Sequence, residues 1–275
     1  MNILVAIPSK SRPYDILKRT MKWITNSKYD FKVFVEPEEL RYYIQTIGID
    51  KVVCLDANNQ GLGYAEKFIV DYAKEHSYEL IFRLDDDVSH ITHVTKMTDA
   101  EAFDKLIDDS IPYFQSEPKL GCVGFASDFY QGYLLPKMRL LYEGGNMFIE
   151  RNPLICASFL IRTEAFKPSP EITSVDIYMN LKLWESGYYG YSYSGCMLIH
   201  DLVENKGGLN INLKERLEWI NRDYDTMKRE FPFLNKQVLV LNDKTKGIKL
   251  VVEAAKHNIN YIKFDISAYQ NKSKL

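Results

Sequence analysis

Asp85, Asp86 and Asp87 follow directly on the run Leu80-Ile81-Phe82-Arg83-Leu84, and Val88 follows them. An apolar run of this kind reads as a buried strand, and three consecutive carboxylates at its end repel one another unless something positive sits there. In an extended chain alternate side chains share a side, so Asp85 and Asp87 point the same way. Paired oxygen ligands suit Mg²⁺ or Mn²⁺ and leave positions open for the phosphate oxygens of a substrate. The alternative is a solvated, helix-capping acidic cluster. His200 ends a later apolar run, Cys196 to Ile199. Its imidazole would add a nitrogen ligand better suited to Mn²⁺ than to Mg²⁺. From the residues alone its plain reading is a satisfied core or surface histidine.

Two loops add cations and backbone donors. Pro8-Ser9-Lys10-Ser11-Arg12-Pro13 follows the strand-like run Ile3 to Ile7, at the strand end where open α/β sheets bind ligands. Gly61-Leu62-Gly63 opens a helix and carries Lys67 one turn further on. Its amide groups could face a phosphate, or it is an ordinary helix-start turn. It lacks the third glycine of a dinucleotide fingerprint and follows the third strand instead of the first, and no Gly-Lys-Ser/Thr follows it, so neither a Rossmann dehydrogenase nor a P-loop is expected.

The elements that must position these residues alternate. Strands at Ile3–Ile7, Phe31–Val35, Lys51–Leu55 and Glu79–Leu84 are separated by helices over Tyr14–Asn26, from Glu36 through Ile44, and over Tyr64–Glu75. That pattern predicts an α/β fold with a mainly parallel, Rossmann-like central sheet flanked by helices. After the aspartates the alternation loosens: a helix near Ala102–Phe114, strands at Gly121–Phe125 and Ile155–Ile161, and a helix opened by Asp176 and closed by Gly187. Between Ser127 and Phe148 an irregular excursion rich in Tyr, Gly and Met is expected. A further helix from Asn212 to Glu230 precedes a small C-terminal appendage.

The composition is that of an ordinary soluble domain: 275 residues, 46% hydrophobic and 26% charged, with 19 Tyr. The net charge of -2 gives no global attraction to nucleic acid or an anionic membrane. From Lys236 onward eight Lys face only Asp243, Glu253 and Asp265, so a polyanion would meet that end, if the lysines are more than a solvated face. Domain bounds of 1–235, divided near residue 90, and 236–275 are expected. Cys54, Cys122, Cys156 and Cys196 are widely spaced and read as reduced core thiols. With no membrane-length apolar run and no basic region before the first strand, a cytoplasmic protein is expected.

The order of these parts resembles a family. IPSKSRP after the first strand, FVEPEE after the second, a glycine turn and helix, LDDDV, a helix-opening Asp, and a late His followed by NKGG are similar to metal-dependent GT-A glycosyltransferases. More narrowly they resemble the TET-associated glycosyltransferases of hydroxymethylated-base metabolism, found largely in bacteriophages, which would place the protein in a host cytoplasm. The resemblance spans roughly residues 3–210.

The resemblance implies a site. Pro8, Ser9 and Arg12 would face a nucleoside diphosphate, with Gly61, Gly63 and Lys67 as further donors, and Glu36 would lie near the nucleoside. Asp85 and Asp87, with Asp86 between them, would form the pair that binds ribose and metal, His200 would be the C-terminal metal ligand, and Lys206, Gly207 and Gly208 would close over the diphosphate. A Mn²⁺ or Mg²⁺ ion and a nucleoside-diphosphate sugar, UDP-linked in the first instance, would be cofactor and donor. Asp176 is the candidate base, held at a helix N-terminus, with a simple N-cap as the alternative reading. The family often has an acidic pair there, whereas this chain reads Ser174-Val175-Asp176. If configuration is retained no such base is needed. The implied acceptor is a hydroxymethyl pyrimidine in DNA, free or already glycosylated, with tyrosines at 130, 133, 188, 189, 191 and 193 as stacking platforms or as core filling. The other readings are a saccharide acceptor, nucleotidyl transfer, or a non-catalytic nucleotide-sugar or nucleic-acid binding module.

Overall fold

A computed structural model describes residues 1–127, 142–145, 148–151, 155, 158–173, 175–200, 222–223, 225–227 and 229–231. The Lys206–Gly208 turn, Tyr130, Tyr133, Cys156, most of the expected 127–148 excursion and 212–230 helix, and the whole 236–275 appendage lie outside the described residues.

The strands are β1 (Ile3–Pro8), β2 (Phe31–Val35), β3 (Val52–Cys54), β4 (Leu80–Arg83), β5 (Val88–His93), β6 (Leu120–Ser127), β7 (Phe148–Arg151), β8 (Phe159–Arg162) and β9 (Tyr189–His200). The helices are α1 (Thr20–Ile24), α2 (Leu40–Ile47), α3 (Leu62–Glu75), α4 (Asp99–Ser116) and α5 (Val175–Glu185). One sheet runs in the order β3-β2-β1-β4-β8-β6-β9-β5, with β7 paired to β9 off that path. The expected α/β architecture is present. The first four strands are parallel as the alternation predicts. Beyond β4 the sheet is mixed: β8 is antiparallel to β4 and β6, β9 is parallel to β6, and β5 and β7 are antiparallel to β9.

Strand alternation sorts the core into two layers. Val5 and Ile7 of β1 and Leu80 and Phe82 of β4 face α1 and α4, where they meet Trp23, Phe103 and Leu106. Leu4, Ala6 and Ile81 face α3 and α5, where they meet Ile69, Ala73, Met179 and Leu183. By the same parity Arg83 belongs to the α3/α5 side.

Two local departures from the expected elements shape the surroundings of the acidic turn. The helix predicted over Tyr14–Asn26 is divided into a single 3₁₀ turn, Ile16–Lys18, and the short α1, with a non-helical Arg19 (φ -119°, ψ -114°) between them. The break turns Thr20 and Trp23 toward the chain after β4: the Thr20 hydroxyl donates to the Asp85 carbonyl at 2.7 Å and accepts from the Val88 amide at 3.1 Å, while Trp23 Nε1 donates to the Val88 carbonyl at 3.0 Å. Tertiary hydrogen bonds thus override the helical periodicity. The second is β5, a strand not predicted from the residues, which pairs with β9 as a sheet edge.

The glycine turn before α3 has a packing reason. Gly61 sits at φ +88°, a conformation that favours glycine. A Cβ on Gly63 would lie 2.2 Å from the Ser169 carbonyl oxygen and 2.3 Å from that of Ile172. Those are backbone atoms and cannot swing aside. Gly63→Ala is expected to destabilise the fold by about 1–3 kcal/mol, read as a fall in the urea midpoint at unchanged m-value.

Candidate metal centre

β4 ends at Arg83, and the three aspartates leave the sheet beside the C-terminal end of β1. β5 begins immediately after them, at Val88, and Val88 is the register partner of His200 at the end of β9. That pairing carries a histidine more than a hundred residues distant onto the acidic turn. Asp85, Asp87 and His200 each bring one ligand atom to within 4.8 Å of the other two. Two carboxylates and an imidazole fit Mn²⁺ or Mg²⁺ and occupy at most half of an octahedral shell if each gives one atom.

The aspartates are held in different ways. The Asp85 amide donates to Ser158 Oγ at 2.9 Å, Arg83 Nη1 donates to Asp85 Oδ1, and Asp85 Oδ2 faces His200 Nε2 at 3.3 Å. Burial alone would raise the Asp85 carboxyl, but the charges of Arg83 and His200 outweigh it and hold the group well below the usual carboxylate range.

Asp86 turns the other way, into the protein. Its Oδ2 accepts from Ser9 Oγ at 2.6 Å and its Oδ1 from Arg12 Nη1 at 2.6 Å. Tyr43 closes this corner, with its hydroxyl 2.7 Å from Ser9 Oγ and accepting from the Arg12 amide at 3.1 Å. Burial raises the Asp86 carboxyl, Arg12 opposes, and Asp87 adds to the rise, leaving it at about 6. Arg12 also reaches Asp87 Oδ2 at 3.4 Å. Burial works against the Arg12 charge, yet the two aspartates prevail and keep the guanidinium above its ordinary pKa.

The remaining residues singled out from the sequence divide clearly. Pro8 ends β1, and Ser9 and Arg12 clamp the acidic turn. Glu36, at the end of β2, is buried; its Oε1 accepts from Lys10 Nζ at 2.9 Å, and its Oε2 has no hydrogen-bond partner among the described residues. Lys10 also reaches Asn59 Oδ1 at 2.6 Å. Lys67 lies on the exposed side of α3, paired with Asp71. Asp176 lies in the first turn of α5, and its charge is felt by Arg83 and Glu66.

Of the β9 tyrosines, Tyr193 fills the core and Tyr189 and Tyr191 are half-buried against it. Tyr193 is fully buried and donates to Asp109 Oδ2 at 2.6 Å; Tyr189 and Tyr191 both donate to Glu117 Oε2. All three pack against the α4 layer because residues two apart share a strand face. Tyr188 packs on the opposite layer and donates to Glu164.

Glu66 and Arg83 are not singled out by the residue pattern, yet both belong to the site. Glu66, 1% exposed, accepts from Arg83 Nε at 3.2 Å. Burial pushes the Glu66 carboxyl up, to about 8, against the pull of Arg83. A signal is present in the sequence: Glu66 precedes Ile69, Val70 and Ala73 by three, four and seven positions, on the buried face of α3.

Residues 3–113 match the family model described as TET-Associated Glycosyltransferase. No curated protein matches the chain. Among solved structures the chain is similar to glucosyl-3-phosphoglycerate synthase from Mycobacterium tuberculosis in complex with Mg²⁺ and UDP, at 12% identity and TM-score 0.50, over 83% of this chain and 78% of that one. It is also similar to the same synthase with Mn²⁺, UDP-glucose and phosphoglyceric acid, at 14% identity and TM-score 0.51, over 83% and 79%. The fold is that of the GT-A glycosyltransferases, and the family match and the fold together support a glycosyltransferase.

The division between Asp86 and Asp87 is testable. Asp86→Ala leaves the Arg12 charge buried without its main partner and is expected to cost about 3–5 kcal/mol of stability. Asp87→Ala is expected to cost little stability and to weaken Mn²⁺ binding most. Urea unfolding and Mn²⁺ titration calorimetry on both variants check the contrast.

Proposed function

We propose that the protein transfers a sugar from a nucleoside-diphosphate sugar to a hydroxyl acceptor, with a divalent cation held by Asp85, Asp87 and His200. The observation that carries this reading is the convergence of those three ligand atoms within 4.8 Å at the C-terminal edge of the parallel strands. Nucleotide ligands of open α/β sheets occupy that edge. The ion, when bound, supplies positive charge toward the diphosphate on which negative charge accumulates as the glycosidic bond breaks.

The chain's own residues have distinct parts in this reading. The loop from Ser9 to Arg12 carries backbone groups along the strand end, and its clamp on Asp86 fixes that loop relative to the metal ligands. Glu36 fits a nucleoside, since the Lys10 contact holds one carboxylate oxygen while the other is left to accept from a donor on the base or ribose. Asp176, in the first turn of α5, is proposed as the base that takes the acceptor proton. For the donor nucleotide, uridine is the first choice because the similar synthase structures hold UDP or UDP-glucose. For the acceptor, hydroxymethyl pyrimidine in DNA is proposed on the strength of the family match over residues 3–113. Burial removes Tyr193 from any DNA contact.

The test is release of free nucleoside diphosphate from a panel of nucleotide sugars, with and without Mn²⁺, and with hydroxymethylated DNA, unmodified DNA or a saccharide as acceptor. Metal-dependent release stimulated by hydroxymethylated DNA is the expected outcome. Stimulation by saccharide alone would replace the acceptor but keep the reaction, and pyrophosphate formed from nucleoside triphosphates would replace the reaction. Asp87→Ala is expected to lower turnover about 100-fold or more, the scale seen when one charge-stabilising group is removed, with cooperative unfolding retained.

A further inference from the structure

Asp85 is fixed from several directions. Its amide donates to Ser158 Oγ, its carbonyl accepts from Thr20 Oγ1, and its Oδ1 accepts from Arg83, so that Oδ2 is the oxygen turned to His200. Arg83 is itself held from behind, since its Nε donates to Glu66 Oε1 at 3.2 Å. The arginine and the glutamate are 4% and 1% exposed. A planar guanidinium bound at both ends cannot rotate away from Asp85 without giving up its bond to the buried Glu66 carboxyl.

This arrangement has a coordination consequence. Ca²⁺ takes six to eight oxygens and readily accepts a carboxylate through both of them, whereas Mg²⁺ and Mn²⁺ favour octahedral shells built from single oxygens. With Oδ1 held toward Arg83 and Oδ2 turned to His200, the Asp85 carboxylate is oriented to present Oδ2 first, and bidentate binding would require it to rotate against the guanidinium. We propose that Arg83, anchored by Glu66, is a positioning residue that keeps Asp85 a one-oxygen ligand and so makes the site discriminate against Ca²⁺ in favour of a small octahedral cation. The inference rests on the metal-site reading above and adds to it the origin of ion selectivity. The guanidinium belongs to the ligand's support and has no contact with substrate in this role.

The test compares direct Mn²⁺ and Ca²⁺ affinities, by calorimetry and by Ca²⁺ displacement of the Mn²⁺ electron paramagnetic resonance signal, without any turnover. The informative variant is Arg83→Met combined with Glu66→Met, which replaces both buried partners by apolar groups of similar volume; the accompanying change in field acts alike on two divalent ions and cancels in the ratio of their affinities. The expected result is a fall of about 10-fold or more in the ratio of Mn²⁺ to Ca²⁺ affinity, the scale on which supporting residues act on metal sites. Arg83→Lys, which keeps a charge but cannot bridge both carboxylates, is expected to lower the ratio by less, and decides the matter by the same ratio if the double variant does not fold. Equal weakening of both ions, or an unchanged ratio, overturns the proposal. Failure of the unaltered protein to bind Mn²⁺ overturns the metal reading itself, a result distinct from either.

Discussion

Three adjacent carboxylates at the end of a strand buried on both faces are a demand that the surrounding structure has to meet. An isolated buried charge costs several kcal/mol, and neighbouring like charges add to that cost. Each aspartate is met from a different quarter. Arg83 serves Asp85 from the α3/α5 layer, and Arg12 and Ser9 serve Asp86 from the loop after β1. Asp87 shares Arg12 and stands with His200. The positions of Glu66, Tyr43 and Thr20 have the same origin, because each holds one of those partners or the turn itself.

The mixed half of the sheet has the same logic. A purely parallel sheet would have ended the useful edge at β4, with the acidic turn open on one side. Antiparallel β8 against β4 brings Ser158, the residue just before that strand, onto the Asp85 amide. The β5–β9 pairing then brings His200 back over the turn, with Val88 as its register partner. The aspartates are thus enclosed by segments from both halves of the chain.

Much of the parallel half is legible in the sequence because its strands are short apolar runs ended by turn residues, as at Ile3–Pro8 and Leu80–Arg83. The acidic turn is legible for the same reason, since carboxylates stand out against such a run. His200 is not, on residue type alone: what brings it to the aspartates is strand register, a long-range property that only the family resemblance anticipates. Arg83 and Glu66 escape notice because each is absorbed into an apolar pattern, a cation in a strand and an acid on a helix face, and only their mutual contact explains both. The tyrosines of β9 are open to two readings, and strand alternation under α4 decides for the core at 193 and leaves 189 and 191 half-buried on the same face.

The charge balance around the turn adds an argument of its own. Asp85, Asp86 and Asp87 are touched by two guanidiniums, Arg12 and Arg83, while Arg83 also answers to Glu66 and feels Asp176. Among the described residues, then, five carboxylates lie around two guanidiniums. Burial leads the upward pressure on both Asp86 and Glu66, but the neighbouring carboxylates contribute, Asp87 and Asp85 at the first and Asp176 and Asp85 at the second. Such a cluster can be relieved by taking up protons or by taking up a cation. The two routes compete, since ligands must shed protons to bind metal. Because Arg83 holds Asp85 ionised while Asp86 and Glu66 are pushed upward, the turn keeps a deprotonated carboxylate at Asp85. A divalent cation at this turn would relieve the crowding of Asp85 and Asp87 without protonating either.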